Sequence, residues 1–150
     1  MKVVTRRRQN SIPRTLLPSL SRRGDQALRA KKLGDEHPTM ATAGVRVGEV
    51  LMIAEEYAEA EVAFRGALDL ISRVLGPDHT AVGRWRNDLG DALLAQGKLD
   101  EAQTEYQRAL EAQTKIYGAA HPNVERSREG LSRVHDARGS LEGESAGQGD

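Results

Sequence analysis

Apolar residues recur along this chain at helical intervals. Ala60, Phe64, Ala67, Ile71 and Val74 follow one another in steps of three and four, and Met40, Val47, Leu51 and Ala54 do so in steps of seven, four and three. Such steps place every member on one side of an α-helix, whereas a half-buried strand alternates every second residue. No stretch here alternates in that way. The pattern then repeats: Leu33-Gly34-Asp35-Glu36-His37-Pro38 returns as Leu75-Gly76-Pro77-Asp78-His79-Thr80 and again as Tyr117-Gly118-Ala119-Ala120-His121-Pro122, a step of 42. Sliding residues 37–78 onto 79–120 pairs Gly48 with Gly90, Leu51 with Leu93, Ala60 with Ala102, Ala67 with Ala109 and Leu68 with Leu110, and sets Phe64 against Tyr106.

Each repeat reads as two helices. Gly97 stands where a left-handed residue ends a helix, with Glu55 in the same place one repeat earlier, and Pro38 and Pro122 suit the first turn of the helix that follows. Connections this short make consecutive helices antiparallel. The spacing predicts helices near 38–54, 57–74, 80–96, 99–116 and 122–138, with a shorter one near 22–33. Gly48 and Gly90 each cost about 1 kcal/mol relative to Ala inside a helix. A close helix crossing accounts for them, with small residues at Ala60, Ala67, Ala102 and Ala109 and the rings of Phe64 and Tyr106 beside them.

These residues resemble the tetratricopeptide repeat, in the 42-residue form of kinesin light chains. The pattern lies at Val47-Gly48, Leu51, Tyr57, Ala60, Phe64 and Ala67, and at Leu89-Gly90, Leu93, Gly97, Leu99, Ala102, Tyr106 and Ala109. Ser72 and Thr114 replace the proline that closes shorter repeats, and Glu55 replaces the turn glycine. The resemblance implies an all-α superhelix of about two full repeats, closed by a capping helix with the apolar stripe Val124, Leu131, Val134 and Ala137. The array is short, which leaves self-association or a place in a longer array open.

Composition refines this picture. Aromatics are 3% of the 150 residues and charged groups 29%, so the core has to be built from Ala, Leu, Val and Ile. The longest apolar run, residues 50–54, is far short of the roughly 20 needed to span a bilayer. The absence of cysteine excludes disulfides and thiolate chemistry and fits a cytoplasmic location. Net charge is zero, yet residues 1–23 hold seven basic side chains and no acidic one. That segment, broken by Pro13 and Pro18, reads as a disordered basic arm; an organelle transit peptide and a tether to nucleic acid or an acidic surface are alternative readings. Residues 140–150, with three glycines and two serines, read as a flexible tail. The repeat domain is therefore expected at 24–139.

No catalytic motif, phosphate loop or cofactor site is visible, and an enzyme is not expected. His37, His79 and His121 sit a full repeat apart, too far to share one metal at about 2 Å bonds, and read as polar turn residues. What remains is surface. In the family resembled, the first helix of each pair lines a concave groove that holds a peptide or helix of a partner protein. The matching positions here are Val45, Glu49, Met52 and Ile53, then Arg84, Asn87, Asp91 and Leu94, then Arg126, Glu129, Arg133 and Asp136. The expected partner-binding residues are Arg84, Asn87, Asp91, Arg126 and Arg133. Asn87 matches the family's asparagine that bonds a peptide backbone. Trp85, one residue off this line, is expected between helices.

Overall fold

The computed structural model describes residues 37–147. The arm at 1–23, the helix expected near 22–33 and the first part of the repeat domain lie outside the described residues. Five helices and no strand occur among those described: α1 (Pro38–Ile53), α2 (Tyr57–Leu75), α3 (Thr80–Ala95), α4 (Leu99–Tyr117) and α5 (Pro122–Gly147). Each packs on its neighbour in sequence, and α3 also touches both α1 and α5. The first helices of successive repeats thus lie side by side, with the second helices behind them.

The ends of the helices repeat as faithfully as their faces. His79 Nδ1 accepts a hydrogen bond from the Ala81 amide at 3.2 Å, and His121 Nδ1 accepts one from Asn123 at the same distance. The turn histidines therefore cap α3 and α5, satisfying an amide that has no partner within its own helix. At the other end of α3, Gly97 takes φ 77° and the Lys98 amide reaches Leu93 O at 3.0 Å. Glu55 closes α1 in the same way, at φ 63°, with Glu56 N bonded to Leu51 O at 2.8 Å. A side chain is thereby held in a region that favours glycine.

Phe64 and Tyr106 are at most 1% exposed and form the centre of each repeat. A Cβ on Gly48 would lie 2.5 Å from the Phe64 ring, and one on Gly90 2.7 Å from the Tyr106 ring. Both glycines are therefore sites of close approach, as their pattern requires. Gly130 on α5 presses on Tyr106 from the neighbouring repeat, at 2.3 Å, which the 42-residue register did not reveal. Trp85 is buried.

Two features depart from the sequence reading. On α1 the buried residues are Ala41, Val45 and Gly48, while Val47 is 54% exposed and Ala54 is exposed. The equivalent face of α3 is buried under α2; among the described residues nothing plays that part for α1. In addition α5 runs to Gly147, so the segment expected as a tail is helical as far as that residue. Residues 139–147 are all exposed, and no proline interrupts them.

Candidate functional site

The side chains expected to bind a partner fall into two groups, one buried and one reaching solvent. Asn87 is 0% exposed. Its Oδ1 accepts from Ser127 Oγ on α5 at 3.0 Å, and Ser127 Oγ lies 2.8 Å from the Gln113 amide on α4. With the Gln113 nitrogen turned toward Ser127 and toward Asn123 O, the three side chains form one donor-to-acceptor series through α4, α5 and α3. Gly83 makes room for it, since a Cβ there would lie 2.6 Å from Gln113 Cγ. Asn87 Nδ2 is left without a partner. The side chain expected to bond a partner's backbone is thus engaged between helices, as is Val45 one repeat earlier at 2% exposure.

The second group is ionic. Arg126 Nη2 donates to Asp88 Oδ1 at 2.7 Å and to Asp91 Oδ2 at 2.9 Å. Arg133 Nη2 donates to Asp91 Oδ1 at 2.9 Å, and the Tyr106 hydroxyl donates to that same oxygen at 2.5 Å. The Arg133 guanidinium also lies 5.8 Å from the Tyr106 ring centroid, within cation–π range. Arg84 is exposed and forms no ion pair among the described residues. The structure thus brings Asp91, Arg126 and Arg133 into one network and adds Asp88 and Tyr106 to it. Spacing indicated a common helix face for the expected residues, but neither the tyrosine behind them nor the second aspartate.

Burial raises the pKa of Asp88, opposed by its bond from Arg126 and reinforced by the like charge of Asp91. Burial also raises that of Tyr106, and its bond to the Asp91 carboxylate raises it further. Arg126 loses solvation, yet Asp88 and Asp91 outweigh that loss and its pKa is raised. The Arg126 charge is therefore fixed, and both Arg126 and Arg133 are matched by carboxylates of their own chain. Among the described residues no group of acidic or histidine side chains is placed to hold a metal, and no described helix is long and apolar enough to cross a membrane.

Comparison with known proteins matches this architecture. A family model described as tetratricopeptide repeat matches residues 39–104 and, overlapping them, 84–142. No curated protein matches the chain. Among solved structures, the crystal structure of BtubC (BKLC) from P. vanneervenii superposes with a TM-score of 0.66 at 21% identity, covering 81% of this chain and 50% of that one. The chain thus spans about half the length of that structural neighbour.

Proposed function

Because the chain belongs to the tetratricopeptide repeat family, whose arrays generally mediate protein–protein interaction, we propose that it is a non-catalytic module holding a peptide or helix of a partner protein against the face formed by α1, α3 and α5. One observation carries this reading. Arg126 and Arg133 are anchored by Asp88, Asp91 and Tyr106, yet their side chains remain 40% and 50% exposed. Each spends only Nη2 on its ion pairs, so Nε and Nη1 are unspent donors in a fixed orientation. Arg84, exposed and in no ion pair among the described residues though its charge acts on Asp88, adds a third cation.

The balance of charge sets the kind of ligand. Arg84, Arg126 and Arg133 share the face with Asp88, Asp91 and the exposed Glu129 and Asp136, a mixed surface that suits a single carboxylate or a row of backbone carbonyls at the arginines better than a strongly acidic segment. Asn87 belongs to this site as an internal support, through Ser127, for the helix that carries Arg126.

The test begins with affinity capture by the full chain, followed by calorimetry of the captured partner with variants. Arg84→Glu and Arg133→Gln should each weaken binding by about tenfold or more with little change in melting temperature, since charge-assisted hydrogen bonds contribute roughly 1.5–3 kcal/mol. Asn87→Ala should lower the melting temperature instead. Affinity unchanged in both arginine variants would move the site off this face. Binding that collapses at moderate salt and follows residues 1–23 would favour phosphate contacts by the basic arm.

A further inference from the structure

The three first helices can be compared position by position, because each occupies the same place in its repeat. On α3 the line Trp85, Leu89, Ala92 is at most 3% exposed, and Gln96, the next in that line, donates to Glu61 and to Tyr57 O of α2. On α5 the corresponding line contains Ser127 and Val134, at most 2% exposed, and Arg138, which donates to Gln103 of α4 at 2.8 Å. The pair Gln96–Glu61 has become Arg138–Gln103, both side chains changed and the contact kept. On α1 the same line is Ala43, Val47, Val50 and Ala54, and all four are exposed, the two valines by 54% and 64%. Ala54 stays in register, its amide bonded to Val50 O at 3.0 Å.

We propose that this line is the contact between two copies of the chain, with α1 of one laid antiparallel on α1 of the other about a two-fold axis. Its steps are four, three and four, the spacing of a helix-pairing seam. They read the same in either direction. An antiparallel copy therefore sets Val47 on Val50, Val50 on Val47, and alanine on alanine at both ends, where small side chains let the helices approach closely. This self-match is the condition for an isologous interface.

Charge favours a second copy over a helix resembling α2. The seat on α3 receives the Glu61 carboxylate with Gln96 and Lys98, at 2.8 and 2.9 Å; on α1 the equivalent residues are Ala54 and Glu56, and an acid there would meet an acid. In the antiparallel pair Glu55 and Glu56 lie instead beside the first turn of the other copy's α1. That turn has no acidic residue, and its free amides attract negative charge. The residues of this seam are none of those assigned to partner binding. Its area rests on one pair of short helices, below the roughly 1,200 Å² of stable complexes, so the pairing depends on concentration.

Sedimentation equilibrium of the full chain from about 10 µM to about 1 mM tests this. The average mass should climb from 16.4 kDa toward twice that value, and Val50→Asp should hold it at 16.4 kDa with unchanged helical circular dichroism. Because the chain has no cysteine, Val47→Cys and Val50→Cys variants provide a second reading. Mixed and mildly oxidised, they should form a disulfide-linked dimer several-fold faster than either alone. A mass that stays at 16.4 kDa throughout, a Val50→Asp variant that pairs like the parent, or equal cross-linking in all three samples would each overturn the two-fold seam. A Val50→Cys thiol that resists alkylation in the monomer would do so too, by showing the seam covered within one chain.

Discussion

Tyr106 shows how much a single position does in this fold. Its ring is pressed by Gly90 from its own repeat and by Gly130 from the next, and its hydroxyl is tied to Asp91, so it cannot move aside for a new side chain. Gly130→Ala should therefore destabilise the protein, by about 1–3 kcal/mol from overpacking, less a helix-propensity gain of about 1 kcal/mol. Gly139→Ala on the same helix meets nothing within 4 Å and should be neutral or stabilising, and thermal melts of the two variants compare them directly. Glu55 is the opposite case. Its positive φ lacks the glycine that Gly97 supplies one repeat later, and Glu55→Gly should raise stability by about 0.5–1 kcal/mol, a few degrees in the melt. An unchanged or lower melting temperature would show that Glu55 makes a compensating contact. Glu55 and Gly90 were legible in the sequence because the 42-residue step lines them up with their counterparts. Gly130 was not, because that step pairs it with Asp88 rather than with a glycine.

Helix starts were legible and one helix end was not, for a physical reason. α1, α2, α3, α4 and α5 begin at residues 38, 57, 80, 99 and 122, where the sequence places them, since prolines, capping histidines and turn residues mark a start chemically. The end of α5 lacks such a mark. After Arg138, which bonds Asp100 and Gln103, Gly139, Ser140 and Gly143 weaken the helix without stopping it, and Ser140 Oγ donates back to Asp136 O at 3.1 Å. Composition alone gives a tail; hydrogen-bond continuity gives about two and a half more turns of exposed helix. Helical stability in proteins comes mainly from a packed face, and residues 139–147 have none. Removing residues 140–150 should therefore leave the melting temperature essentially unchanged, and backbone amides at 140–147 should exchange with solvent far faster than those at 124–134. A loss of several degrees would show that the extension is held by a contact.

The candidate site was only partly legible from the whole pattern. Spacing puts Arg84, Asn87 and Asp91 on one side of α3, but whether a residue on that side faces solvent or the next helix depends on where α5 packs. Asn87 falls inward and Asp91 falls at the margin, and only the packed array separates them. The same packing sets how the molecule responds to acid. Glu61 on α2 is the junction between the repeats: it accepts from Arg65 at 2.9 Å, Gln96 at 2.8 Å and Lys98 at 2.9 Å, while Arg65 reaches on to Glu101 of α4 at 2.8 Å. Burial opposes the Glu61 charge, but the bonds from Lys98, Gln96 and Arg65 prevail and hold its pKa at about 2, against 4.5 when unfolded. A folded-state pKa below the unfolded one means stability that is complete above pH 4.5 and drains away as the pH falls toward 2. The difference corresponds to about 3 kcal/mol at most, which solvent screening reduces. Asp88 acts in the opposite direction, since its raised pKa favours the fold when it is protonated and gives up that contribution as the pH rises through its folded value. Glu61→Gln isolates the first effect. It should lower stability at pH 7, where the carboxylate is charged in the parent, and should flatten the fall between pH 4.5 and 2, so that the melting temperatures of parent and variant converge in acid. Melts at a series of pH values read this directly. Curves that stay parallel through that window would mean that the ion pairs between repeats contribute nothing net, leaving the apolar contacts of Leu68 and Leu89 to hold the two repeats together.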